Sequence, residues 1–176
     1  MDKRAIFLDR DGIINVDHGY VHQIKDFEFT PNIIELLHLF QNNHYKLFIV
    51  TNQSGIGRGY YTLNDFKKLT TWMIERLKKE NILIEEVQFC PHAPEVKCRC
   101  RKPEIGMIEA LVNNHNVDLK ESWMIGDKQS DIDLAYNAKI GQTIAIGDRV
   151  IKNSTYHFLT ITQCNAFFKA NPKRLT

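Results

Sequence analysis

The chain has no apolar run longer than four residues, far short of the roughly 20 that a membrane-spanning helix needs. It also lacks an excess of either charge. Its 23 Lys and Arg stand against 21 Asp and Glu, for a formal net charge of +2. Bulk electrostatics therefore gives no reason to expect a nucleic-acid or membrane partner. The first apolar segment, Ala5–Leu8, follows Lys3-Arg4 and ends in a charge at Asp9, unlike the longer apolar stretch of a secretory leader. A cytoplasmic, monomeric protein is the expectation. Internal repeats, linkers and low-complexity tracts are missing, so residues 1–176 read as a single domain, long enough to bury a sizeable core. Cysteine is sparse and uneven: Cys90, Cys98 and Cys100 cluster, while Cys164 stands apart as a buried or partly buried thiol. In a reducing compartment such a cluster favours metal over disulfides.

What the chain does have is a series of short apolar runs that end in polar residues. Ala5–Leu8 ends at Asp9, Leu47–Val50 at Thr51, Val87–Phe89 at Cys90, Trp123–Ile125 at Gly126-Asp127, and Thr143–Ile146 at Gly147. Helical periodicity fills the gaps at Asn32–Gln41, at Leu63–Lys79 behind a Thr62 cap, at Ile105–Asn113 and at Asp131–Ala138. A last strand at Phe158–Ile161 and a closing helix complete the pattern. Strands alternating with helices predict an α/β fold, doubly wound, with a mostly parallel sheet and helices on both faces.

In such a sheet, ligands bind at the carboxyl ends of the strands. Asp9 and Asp11, two residues apart, converge there on one side of the strand, and two close carboxylates need a cation or a proton between them. Asp-x-Asp also fits a plain polar turn. Asp127 ends another strand and can share a divalent cation with Asp9, with oxygen donors suited to Mg²⁺, or else cap the following helix. Asp131 fits a solvent-facing position in that helix's first turn. The loop Thr51-Asn52-Gln53-Ser54-Gly55-Ile56-Gly57-Arg58 offers a hydroxyl, backbone N–H groups and a cation to an anion, and fits an ordinary surface loop as well. Arg101-Lys102 precede Pro103, which suits the first position of a helix. Cys90, His92, Cys98 and Cys100 give three sulfurs and one imidazole, the donor set of a closed structural zinc site, with residues 90–100 as a zinc-binding loop. His38, His44, His115 and His157 have no visible role.

Taken in order, Asp9-x-Asp11-Gly12, Thr51-Asn52, Lys102 and Gly126-Asp127 resemble the four motifs of the haloacid dehalogenase superfamily of phosphohydrolases. Within it, Asp17-His18-Gly19-Tyr20-Val21-His22, the Asn52–Ile56 stretch and Cys98–Pro103 resemble the subfamily acting on heptose 1,7-bisphosphates. Histidinol-phosphate phosphatases share the zinc cluster and Arg101-Lys102-Pro103. The loop between His92 and Cys98 is shorter than in many relatives. The resemblance implies a Rossmann-like fold with no large cap domain and a small sugar bisphosphate as substrate. It makes Asp9 the nucleophile, Asp11 the acid and base, and Thr51 and Lys102 the holders of the phosphoryl group. Asp9, the main chain of Asp11, and Asp127 would bind Mg²⁺. Asp17, His18, Gly19, Tyr20, Thr51, Asn52, Gln53, Ser54, Arg58, Arg101, Lys102 and Lys128 would contact substrate. It further implies a part in making sugars of a bacterial cell surface.

Overall fold

A computed structural model of the chain describes residues 3–175. Six strands, β1 (Ala5–Leu8), β2 (Lys46–Asn52), β3 (Ile84–Cys90), β4 (Trp123–Gly126), β5 (Gln142–Ile146) and β6 (Tyr156–Phe158), form one sheet in the order β3-β2-β1-β4-β5-β6. Every neighbouring pair is parallel. The central strands are continuous apolar runs because a parallel sheet is covered on both faces. All four residues of β1 are 0% exposed, yet Ile6 and Leu8 pack into one core and Ala5 and Phe7 into the other.

Helices α1 (Ile33–Asn42), α3 (Leu63–Lys79) and α6 (Ile161–Ala170) bury their apolar stripes in the first core. Helices α4 (Gly106–His115) and α5 (Gln129–Ala138) cover the second. The start of α3 is fixed by a reciprocal cap, with Asp65 N donating to Thr62 Oγ1 at 3.1 Å and Thr62 N to Asp65 Oδ2 at 2.9 Å. Between β1 and α1, and between β2 and α3, the chain carries only single turns, at Ile24–Asp26 and at α2 (Ser54–Gly57). Loops rather than a large cap therefore stand over the strand ends.

Two expected boundaries are corrected. The last strand is Tyr156–Phe158, not Phe158–Ile161, because Thr160 caps α6 by accepting from Gln163 N at 3.2 Å. Pro103 does not open a helix. It sits in a turn that folds back through Glu104 N→Arg101 O (2.8 Å) and Gly106 N→Arg99 O (2.9 Å), and α4 begins only at Gly106.

The chain starts at the centre of the sheet, steps outward to β3, then returns to lay β4 against the free side of β1. This reversal leaves a crevice at the carboxyl ends of β1 and β4, the usual ligand site of an open α/β sheet.

Phe168 is fully buried and meets the rings of Phe40, Trp123 and Tyr156. Phe168→Ala is expected to cost about 3–5 kcal/mol in urea unfolding. A loss below about 1 kcal/mol would contradict the packing of α6 described above.

Candidate active site

Asp9 leaves β1 almost wholly buried, at 4% exposure. Its Oδ1 accepts from Arg10 N at 2.8 Å and lies 2.9 Å from Lys102 Nζ. The same ammonium reaches Asp131 Oδ1 at 2.7 Å and Val50 O at 2.9 Å. One carbonyl acceptor and two carboxylates thus surround the ammonium, the kind of pairing a buried lysine requires. Burial alone would pull Lys102 down, but Asp131 and Asp9 outweigh it and hold the group above its ordinary value. Burial pushes Asp9 up from 3.8 to about 7, with Lys102 opposing and Asp131 adding to the rise.

Asp131, whose place the sequence left open, does not face solvent; it is 0% exposed. Its Oδ2 accepts from Lys128 N at 3.1 Å, closing the first turn of α5. A side chain at Gly126 would place its Cβ 2.2 Å from Asp131 Cβ, so the glycine makes room for this carboxylate.

Asp127 follows β4 and does not cap α5, since Lys128 occupies that position. Its Oδ2 accepts from Arg149 Nη1 at 2.8 Å, while its Oδ1 is buried with no hydrogen-bond partner. Burial raises its pKa. Gly12, at φ +89°, lets the chain pass beneath; a Cβ there would lie 2.6 Å from Asp127 Cγ. Oxygens of Asp9, Asp127 and Asp131 lie within 4.8 Å of one another. Asp131 Oδ1 faces the Lys102 ammonium and its Oδ2 the Lys128 N–H, whereas Asp127 Oδ1 meets no cation closer than Lys128 at 3.9 Å, so Asp127 and Asp9 are the donors best placed for a cation. An all-oxygen set of this kind fits Mg²⁺.

The side chain of Asp11 stands outside this cluster. Its Oδ1 accepts from Arg10 Nη2 (2.8 Å) and Asn15 Nδ2 (3.0 Å), and its Oδ2 from Gln53 Nε2 (3.1 Å). It opens on a cleft of about 350 Å³. Asp17, Gly19 and Tyr20 line it from the loop after β1, Asn52, Gln53 and Ser54 from the end of β2, and Arg101, Lys102 and Lys128 supply its cations. Arg101 Nη1 is buried without a partner. Lys128 is 3.7 Å from Asp17 and 3.9 Å from Asp127. Thr51 is fully buried beneath, accepting from Gln53 Nε2 at 2.9 Å. Asn52 clasps the Lys102 main chain from both sides, at 3.0 and 3.3 Å.

Two predicted contacts fall elsewhere. His18 pairs with Glu28 at 3.3 Å and lines a separate hollow. Arg58 points to Glu95 at 3.9 Å, away from the cleft. A further hollow of about 400 Å³ opens beyond Asp127, but its arginine, Arg149, is already committed to that carboxylate.

The sequence reading passed over Arg10, Arg149 and Tyr61. Tyr61 donates its hydroxyl to Gln53 Oε1 at 2.5 Å, and burial lifts its pKa to about 12. Gly55 carried a signal for that contact, because a Cβ there would strike the Tyr61 ring.

Cys90 ends β3, and the chain returns through the turn Pro94–Val96 to Cys98 and Cys100. The donor atoms form a closed set: Cys90 Sγ lies 3.5 Å from His92 Nδ1 and 3.4 Å from Cys98 Sγ, and Cys100 Sγ lies 3.2 Å from His92 Nδ1 and 3.5 Å from Cys98 Sγ. A tetrahedral zinc with bonds near 2.3 Å to sulfur and 2.0 Å to nitrogen needs edges of roughly 3.5–3.8 Å, so the set fits that ion. All four cysteines are free thiols. Burial pushes Cys90 up; at Cys98 the bonds from Cys90 and Cys100 outweigh burial and bring the thiol down to about 6. Gln53 N→Cys90 O and Gly57 N→Pro91 O, both 2.8 Å, tie this loop to the segment after β2.

The family model described as polynucleotide kinase 3 phosphatase matches residues 5–157. The chain is 48% identical over 150 residues to the D-glycero-beta-D-manno-heptose-1,7-bisphosphate 7-phosphatase of Helicobacter pylori, covering 85% of this chain and 86% of that one. It is 42% identical over 170 residues to the D-glycero-alpha-D-manno-heptose-1,7-bisphosphate 7-phosphatase of Campylobacter jejuni, covering 96% and 98%. The D,D-heptose 1,7-bisphosphate phosphatase of B. bronchiseptica, crystallised with magnesium and phosphate, superposes with a TM-score of 0.83 at 21% identity, over 96% of this chain and 99% of that one. That last likeness is one of fold.

The raised Asp9 sets a pH dependence. Its folded value exceeds its unfolded value, so stability is lost as pH rises from about 4 through about 7. Metal-free Asp9→Asn should therefore melt above the wild type at pH 8, with a smaller gap at pH 5; an equal gap at both would contradict the assignment. Elemental analysis should find about one zinc per chain, and Cys98→Ser should lower both the zinc content and the melting temperature. Protein purified without chelator yet free of zinc would contradict the site.

Proposed function

Because the chain belongs to the D-glycero-D-manno-heptose-1,7-bisphosphate 7-phosphatase family of haloacid dehalogenase-type phosphohydrolases, we propose that it removes the C7 phosphate of that sugar and leaves the C1 phosphate in place. The observation that carries this reading is the pairing of a buried, lysine-held Asp9 with an Asp11 turned out into a cation-lined cleft. One carboxylate is set to form a bond and the other to move a proton. The relatives matched over most of their length favour a sugar phosphate over the polynucleotide in the family model's description, as does the near-neutral charge of the chain.

Asp9 and Asp127, with the Asp11 main-chain carbonyl, would hold the cation. When bound, Mg²⁺ supplies positive charge against the phosphoryl oxygens. Asp9 attacks phosphorus; as its Oδ–P bond forms, the bond to the C7 oxygen breaks, and that oxygen keeps the electron pair and takes the proton of Asp11. Water then attacks the aspartyl-phosphate and yields a proton to Asp11. The Oδ–P electron pair returns to Asp9, and inorganic phosphate leaves. Lys102 opposes the neutralisation that burial imposes on Asp9 and sets its positive charge beside the phosphoryl oxygens, to which the Thr51 hydroxyl donates. Asn52 fixes the main chain that carries Lys102.

The C1 phosphate serves as a remote handle. Its partners are Arg101, whose buried Nη1 lacks an acceptor, and Lys128; Arg58 is turned away. Asp17, Gly19, Tyr20, Gln53 and Ser54 would border the sugar between the two phosphates. In a cell, the product would feed the making of surface sugars.

Phosphorus NMR of the reaction should show the C7 signal replaced by inorganic phosphate with the C1 signal kept. Arg101→Gln should lower kcat/KM for the bisphosphate about tenfold more than for a heptose 7-phosphate, the size of one charge-assisted hydrogen bond. Loss of the C1 signal, equal losses on both sugars, or faster turnover of histidinol phosphate would defeat the proposal.

A further inference from the structure

Arg10 is the least expected side chain of the site: a guanidinium 1% exposed, between the two catalytic aspartates. It lies two residues past the end of β1, with its guanidinium turned to Asp11 and to Val21 in the loop that follows. One nitrogen, Nη2, makes all its hydrogen bonds: to Asp11 Oδ1 (2.8 Å), Asp11 Oδ2 (3.1 Å) and Val21 O (2.6 Å). Nε and Nη1 are buried without partners, and the group sits 6.0 Å from the centre of the Phe66 ring. Unpaired buried donors are costly, so packing alone does not account for an arginine here.

Resting on the assignment of Asp11 above, we infer that Arg10 is the positioning residue for this carboxylate. Asp11 is two residues from Asp9, close to three buried carboxylates that gather charge for a cation. An acid that must give its proton to the departing oxygen has to stay out of that cluster. Asn15 and Gln53 bond one oxygen each; Arg10 grips both and brings the only charge. Through Val21 the same nitrogen also fixes the loop whose Asp17, Gly19 and Tyr20 line the cleft. The acid and the substrate loop thus share one anchor.

The test uses two esters of similar size, benzyl phosphate, whose alkoxide needs a proton to leave, and 4-nitrophenyl phosphate, whose phenolate does not. kcat/KM ends at transfer to Asp9 and so isolates the step the acid assists. Arg10→Met should lose about a hundredfold on the benzyl ester and less than about tenfold on the nitrophenyl ester. Arg10→Lys retains the buried charge and keeps the test open should the methionine variant fail to fold; it should show the same inequality with smaller losses. Asp11→Asn is the reference. If Asp11→Asn discriminates between the esters while both folded Arg10 variants lose equally on each, the positioning role is wrong. If Asp11→Asn itself loses equally on both, Asp11 is not the acid, and the proposed function fails before the question of Arg10 arises.

Discussion

A single buried ammonium organises this molecule. Lys102 Nζ touches Asp9 from β1, the Val50 carbonyl from β2 and Asp131 from α5, all within 2.9 Å. These groups come from distant parts of the sequence, and only the parallel sheet brings them to one edge. The charge costs several kcal/mol to bury and is tolerated because two buried carboxylates and a carbonyl surround it. Asp9 would lose its charge at neutral pH without a cation beside it. Lys102 would lose its place without Asn52 clasping its main chain and the cysteine-rich loop bringing residues 101–102 to the strand ends.

That dependence explains the divided labour of the carboxylates. Asp131 is spent on Lys102 and on the start of α5, Asp127 has one oxygen held by Arg149 and the other without a hydrogen-bond partner, and both oxygens of Asp11 accept from Arg10. Four aspartates of one chemistry have four environments. The two glycines beside them, Gly12 and Gly126, mark where carboxylates press against the backbone too closely for a Cβ. The cysteine–histidine set lies outside this network but is tied to both Gln53 and the turn at Arg101. Its ion would act on chemistry only through the position of those residues.

The strands, their order of chemistry and the edge where the site lies were legible in the sequence, because buried parallel strands are unbroken apolar runs whose ends stand out. What was hidden follows a common rule. Arg10 and Asp131 are charged residues, which ordinarily stay at the surface; Asp131 is inside because the distant Lys102 neutralises it, and Arg10 because it pairs with the adjacent Asp11 and bonds the Val21 carbonyl. His18 was expected in the cleft on the family resemblance, and Arg58 as the cation of the loop after β2. Their loops turn them to Glu28 and Glu95, choices that depend on tertiary geometry. Pro103 fits a helix start by local preference, yet the fold-back of Gly106 N onto Arg99 O delays the helix. Phe158–Ile161 shows the limit of apolar periodicity: it could not separate a strand's end from a helix's beginning, although the Thr160 cap could.

The central claim is that Asp9 itself carries the phosphoryl group. Turnover mixtures can be quenched in acid and treated with borohydride, which reduces an acyl phosphate to the corresponding alcohol, and the peptide bearing residues 5–12 then sequenced by mass spectrometry. The account predicts homoserine at position 9, appearing only when substrate and Mg²⁺ were both present. Homoserine at position 11, or an unmodified peptide under single-turnover conditions that release phosphate, would contradict it.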